Sequence, residues 1–248
     1  MEELSKQANG LLNKKKVVIL GGSTGIGLAT AKAAAAQGAE VVIVSSNQRK
    51  LNEALTQLPA NAIAIAADLT REQQVKDLFT KVGAFDHLVF TAGETLQINT
   101  IADVTVANAK QFFDLRYWGA FMAVKYAAPN INQGGSIVLS GGSASMRPGK
   151  GWVLGASICA AMEGFTRAMA IELAPIRVNI VAPGLVKTDL WGDMAEADRE
   201  AMYTHFSDTL PVKHVAGADD IAQTYIYLLT QKYSTGQRIV VDGGYVLV

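Results

Sequence analysis

The sequence predicts a single α/β domain of the doubly wound class, with helices flanking a mostly or wholly parallel seven-stranded sheet. Three observations predict it. Seven short apolar runs recur along the 248 residues, and such continuous runs suit strands buried on both faces rather than wetted on one. Segments of helical composition separate them, a βα rhythm that right-handed crossovers turn into a parallel sheet. Pro59, Pro129, Pro148, Pro175, Pro183 and Pro211 fall at segment edges or in loops, where a missing N–H and a fixed φ are tolerated.

Residues 1–13 read as a loose lead-in and residues 14–248 as the domain. VVILG (17–21) is the first strand, followed by a helix over 25–37. EVVIVS (40–45) leads to a helix over 48–58, and AIAIAA (62–67) to a helix over 71–81. HLVFTA (87–92) precedes a long helix over 103–128. SIVLSG (136–141) precedes another over 152–174, and RVNIVA (177–182) is the sixth strand. Residues 184–217 are more polar and are expected to cover the site as helix and loop. A helix over 218–230 leads to QRIVVD (237–242), and the apolar tail GGYVLV is expected to pack rather than hang in water.

Basic and acidic residues number 22 each, a net charge of zero, which gives no reason to expect nucleic acid or an anionic membrane as partner. MEELSKQANG carries no apolar stretch of the kind a secretion signal needs. No apolar run approaches the roughly 20 residues that span a bilayer. Cys159 is the single cysteine, so an intramolecular disulfide is excluded and a cytoplasmic protein is expected. His87, His205 and His214 are scattered without ligand spacing, and no metal site is expected.

The strongest local signal is VVILGGSTGIGLATAKAAAAQGAEVVIV. A strand ending at Leu20 meets Gly21, Gly25 and Gly27, with Ser23 and Ile26 between them, and an alanine-rich helix begins. The spacing is G-x-x-x-G-x-G. Glycine permits the tight turn and close backbone approach to a pyrophosphate, and the helix N-terminus offers unpaired N–H groups to it. Strand, turn, helix and second strand in register make this a Rossmann-type dinucleotide site. The second strand ends in Ser45, Ser46 and Asn47, with Arg49 and Lys50 beyond. No acidic residue stands there to bond a ribose diol. Hydroxyls with a nearby cation suit a 2′-phosphate, so NADP(H) is the expected cofactor.

These stretches, with those downstream, resemble the short-chain dehydrogenase/reductase family over nearly the whole chain, from about Leu12 to the end. GGSTGIG is similar to the family's glycine motif. ADLT sets Asp68 and Leu69 where the family approaches the adenine. FDHLVFTAGE resembles the fourth-strand motif, with Phe90 and Thr91 in place of two asparagines and Ala92 and Gly93 kept. ELAPIRVNIVAPGLVKTDL matches the sixth strand and its Pro183–Gly184 turn; Val186 and Thr188 stand where the family meets the nicotinamide carboxamide and phosphates.

The resemblance also implies four catalytic residues: asparagine, serine, a tyrosine that donates the proton, and a lysine that lowers its pKa and holds the nicotinamide ribose. With AAMEGFTRAMAIELA as anchor, these positions fall on Arg116, Gly142, Gly155 and Cys159. All four roles are vacated. Arg116 stays charged and cannot donate a proton, but it can hold an anion or a carbonyl oxygen. Ser140 and Ser143 flank the vacated serine, and Ser143 is a candidate to polarise a carbonyl. Arg147 and Lys150 lie in a loop near the cleft mouth. Trp118 reads as packing, and Trp152 as packing or the wall of a pocket for a flat substrate. Tyr117 points about 100° away from Arg116 and reads as packing. Cys159 reads as a small apolar residue and Glu163 as exposed at a subunit contact.

The catalytic candidates are therefore Ser143, Arg116 and Lys150. Hydride transfer belongs to the cofactor, while losing a positioned acid costs about 10²–10⁴ in rate. The sequence predicts an atypical NADP(H)-dependent reductase, weak or selective, acting on activated carbonyls or quinones. The alternative is an NADP(H)-binding sensor or assembly protein without turnover. Residues 94–106 and 187–214 are expected to shape the pocket. The resemblance, with apolar positions on more than one face of AMEGFTRAMAIELA, implies a homodimer or homotetramer.

Overall fold

The computed structural model describes residues 10–96 and 98–248; the first nine residues of the expected lead-in and Gln97 lie outside the described residues. Seven strands form one sheet: β1 (Lys16–Leu20), β2 (Glu40–Ser45), β3 (Ile63–Ala66), β4 (Phe85–Phe90), β5 (Ile131–Ser140), β6 (Arg177–Pro183) and β7 (Arg238–Val241). Their order is β3-β2-β1-β4-β5-β6-β7, and every adjacent pair is parallel. The helices are α1 (Gly25–Ala36), α2 (Gln48–Leu55), α3 (Glu72–Val82), α4 (Val106–Phe113), α5 (Ala120–Ala127), α6 (Val153–Glu172), α7 (Glu196–Thr209) and α8 (Ala218–Thr230).

Alternate strand residues feed two cores. Val18 and Leu20 of β1 join the core under α3, α5 and α6, which includes Phe79, Phe85, Ile137 and Met162. Val17 and Ile19 join the core under α1, α2 and α8, which includes Ala31, Leu51, Ile221 and Tyr225. Both faces are thus covered, as a parallel sheet of unbroken apolar strands requires. Strand order reverses between β1 and β4, which opens a crevice at their carboxyl ends. No helix among the described residues is long and apolar enough to cross a membrane.

Four expectations need adjustment. Leu12, placed in the loose lead-in, is 1% exposed and its N–H bonds the Gln37 carbonyl at 3.1 Å, so the packed domain includes it. The fourth strand runs over 85–90 rather than 87–92, because Thr91 turns its N–H and hydroxyl onto the Leu20 carbonyl at the crevice. The fifth strand begins at Ile131, directly after a short turn carrying Pro129. The long helix over 103–128 is interrupted by a π-turn at Asp114–Gly119. Gly119 then brings the chain against β3's exit; a Cβ there would stand 3.2 Å from the Leu69 carbonyl oxygen.

His87 in β4 is buried, and its Nδ1 lies 2.8 Å from the Ser136 hydroxyl of β5. Burial, outweighing the attraction of Asp86, pushes its pKa down to about 4 from 6.5. Between those values the unfolded chain binds a proton that the native state refuses, so stability falls as pH drops through that window. We expect the loss attributable to His87 to reach roughly 3 kcal/mol. Urea unfolding between pH 7 and pH 4 checks this: the doubly substituted His87→Leu, Ser136→Ala protein loses correspondingly less stability over that range.

Candidate functional site

The crevice opens into a cavity of about 900 Å³. Its first wall is the turn between β1 and α1. Gly21 takes φ +88°, and a Cβ there would come within 2.5 Å of the Ala92 nitrogen. A Cβ on Gly27 would meet the Gly21 oxygen at 2.1 Å. Only glycine lets helix, turn and β4 exit converge so closely. Thr24, the N-cap of α1, makes no side-chain cap, so the first-turn N–H groups are not consumed by its hydroxyl.

Gly21, Ser23, Gly25, Ile26 and Gly27 line the cavity, as do Ser45, Ser46, Asn47, Asp68, Leu69, Ala92, Gly93, Pro183, Gly184, Val186 and Thr188. Two predicted residues stand elsewhere. Arg49 is exposed and pairs with Glu53 at 2.6 Å, one turn on along α2; Lys50 is the cation at the cavity wall. Lys150 is exposed on its loop and is not part of the wall, whereas Arg147 is. The chain turns back at Gly151, whose φ of +86° leaves Lys150 on the outer side. Asp68 is held below the usual carboxylate range by hydrogen bonds from the Thr70 hydroxyl and N–H.

Midway along the cavity stand Arg116, Gly142, Gly155 and Cys159. The π-turn carries Arg116, an arrangement that recurs at functional sites. Its guanidinium lies over Phe112 at 5.2 Å, packs on Gly93, and donates from Nη2 to the Glu94 carbonyl. Arg116 Nε is buried and has no hydrogen-bond partner among the described residues. Burial lowers the pKa of Arg116 and raises that of Glu94. Ser143 is buried at the wall. Ser140 is committed elsewhere: its hydroxyl donates to the Phe90 carbonyl and meets the Tyr225 hydroxyl, both at 2.6 Å.

Neighbours crowd Gly155 on α6 and Gly142 in the connection after β5. A Cβ on Gly155 would lie 3.2 Å from Cε3 of Trp152, and one on Gly142 would lie 3.2 Å from the Cys159 sulfur. Tyr117 packs among Phe113, Trp118 and Phe165. Glu163 is not exposed as expected. It is buried, accepts from the Ser145 hydroxyl, and pairs with Arg238 at 2.6 Å, which ties the turn carrying Ser143 to α6 and β7. The expected pocket segment 187–214 supplies Trp191, Met202 and Phe206, none of which sequence reasoning singled out, and Tyr245, which it missed, joins them at the cavity's far end. They come from α7, its approach and the C-terminal tail, where apolar residues in polar surroundings are the only signal.

Residues 21–246 match the family model described as enoyl-(acyl carrier protein) reductase. The chain is 32% identical to carbonyl reductase family member 4 of Danio rerio, over 92% of this chain and 96% of that protein. A solved small-chain dehydrogenase in complex with NADPH is 38% identical, with TM-score 0.85, over 95% of this chain and all of that one. The MalC reductase/Diels-Alderase of Malbranchea aurantiaca is 29% identical, with TM-score 0.90, over 97% and 100% of the two chains.

Burial, only partly offset by Arg116, raises the Cys159 thiol to about 11. The neutral thiol is therefore the native form at physiological pH. At pH 8 we expect iodoacetamide to alkylate Cys159 about 100-fold more slowly in the native protein than in urea, as read by mass spectrometry of timed samples.

Proposed function

The chain belongs to the short-chain dehydrogenase/reductase family, and on that premise we propose that it is an NADP(H)-dependent reductase of activated carbonyls or quinones, weak or selective because no side chain donates the proton. One observation carries this reading: the glycine turn, Arg116 and Ser143 share the wall of a single cavity.

The residues present fit the cofactor. Glycines at the turn admit close backbone approach, and the α1 N-terminus is free of a side-chain cap. Gly21, Ser23, Gly25, Ile26 and Gly27 hold the pyrophosphate. Ser45, Ser46, Asn47 and Lys50 hold the 2′-phosphate, with Lys50 in the role expected of Arg49. Asp68 and Leu69 flank the adenine, Ala92 and Gly93 the adjoining ribose side, and Pro183, Gly184, Val186 and Thr188 the nicotinamide end. When bound, NADPH supplies a hydride to the acceptor's carbonyl carbon.

The protein's own part is electrostatic. The carbonyl oxygen becomes an oxyanion, which Arg116 stabilises as a fixed, buried cation and Ser143 by a hydrogen bond. Gly155 has no proton to give, so water supplies it. Electron-poor acceptors, whose alkoxide is less basic and more easily formed, tolerate this; simple ketones do not. A homodimer or homotetramer fits the same reading, since Trp118 and Phe121 stand exposed with ring centroids 5.9 Å apart. The second reading, a binding protein without turnover, is favoured by the four vacated positions alone.

Calorimetry is expected to find micromolar or tighter NADPH binding and weaker NADH binding. Ser46→Asp, which sets a carboxylate against the 2′-phosphate, should weaken NADPH about tenfold or more. NADPH should be consumed on adding a quinone, and Arg116→Gln should lower that kcat about 100-fold while NADPH affinity changes little. NADPH bound but left intact across a panel of quinones and diketones would establish the second reading instead.

A further inference from the structure

The far end of the cavity is built for something other than a dinucleotide. Leu96, Trp152, Trp191, Met202, Phe206 and Tyr245 wall it. They belong to a third apolar cluster, separate from the two cores that hold the sheet. Four distant stretches of chain converge there: the exit from β4, the approach to α6, the segment from β6 through α7, and the C-terminal tail. Trp152 and Trp191 meet edge to face at 6.4 Å and 63°, and Phe206 and Tyr245 stand 5.8 Å apart.

The rings are held in place. Trp191 donates its indole N–H to the Val186 carbonyl at 3.0 Å. The Arg147 guanidinium lies over the Tyr245 ring at 4.6 Å and donates to that residue's carbonyl, which fastens the tail to the opposite loop. Trp152 is fixed through its backbone by a bridge to Asn99, beside a bond from the Asn99 N–H to the Gly151 carbonyl at 3.0 Å. Two glycines make room for its indole: a Cβ on Gly149 would lie 3.0 Å from Cδ1, and one on Gly155 3.2 Å from Cε3.

Gly155 therefore has two consequences that point to one kind of ligand. It removes the side-chain acid, which restricts the reaction to electron-poor acceptors such as quinones. It also leaves space that an indole now borders, and an aromatic wall favours flat partners over puckered ones of equal volume. We propose that this end of the cavity takes a planar fused-ring carbonyl compound, of which an electron-poor quinone is the reducible kind, and that Trp152 selects for its planarity. The substrate class rests on the reductase reading above; the binding preference does not require turnover.

The test uses the full chain saturated with NADP⁺, which cannot reduce, and two ketones of one carbon skeleton: 2-acetylnaphthalene, which is flat, and 2-acetyldecalin, which is puckered. Calorimetry is expected to show the flat ketone binding at least about tenfold more tightly. Trp152→Ala should erase that preference, while Trp152→Phe, which keeps a flat ring, should retain most of it; circular dichroism checks that both variants fold. Equal affinity for the two ketones, binding of neither, or an unchanged preference in folded Trp152→Ala would overturn the proposal. Failure of the protein to bind NADP⁺ while it still prefers the flat ketone would defeat the cofactor reading and leave this one standing.

Discussion

Everything in this molecule is arranged around one close approach, where β1 hands over to α1 beside the end of β4. The Leu20 carbonyl accepts both the N–H and the hydroxyl of Thr91. Gly21, Gly27 and Ala92 then press together with no space for a side chain on either glycine. This contact closes the crevice at its base and fixes where α1 begins. It also sets the level from which the chain segments after β4, β5 and β6 rise to form the cavity.

From that base the cavity changes character along its length. Near the glycine turn it is backbone, hydroxyls and one lysine. In the middle it holds the half-buried Arg116, whose Nε is buried with no hydrogen-bond partner among the described residues, an uncommon arrangement. At the far end it is aromatic. This gradient matches a ligand pair with a charged, extended partner at one end and a flat, apolar one at the other. Between those two ends, Gly155 and Cys159 line the cavity, with the edge of the Trp152 indole against Gly155.

Much of this was legible in the sequence, for identifiable reasons. Strands buried on both faces leave unbroken apolar runs, so EVVIVS and RVNIVA could be located to within a residue. The glycine turn was legible because its geometry admits no other residue. The long helix expected over 152–174 was legible because its composition is helical throughout, and α6 spans Val153–Glu172. What escaped was set by three-dimensional competition. Arg49 and Lys50 are adjacent cations, and only the helix phase of α2 and the pull of Glu53 decide which faces the cavity. Glu163 looks solvent-facing on α6 until Arg238, distant in sequence, arrives to pair with it. Trp152 and the segment 187–214 were expected at the pocket, but that Trp191, Phe206 and Tyr245 converge on Trp152 was hidden, because these residues lie in separate stretches with no periodic signal.

The packing around Gly155 and Gly142 bears on how this part of the cavity tolerates substitution. Gly155 is bordered by Trp152, and Gly142 by Cys159, each at 3.2 Å from where a first side-chain atom would begin. A side chain added at either position enters space already in use, so its neighbour has to give way. A change at 155 is therefore coupled to residue 152, and a change at 142 to residue 159. Such a cavity changes shape by pairs of residues rather than one residue at a time.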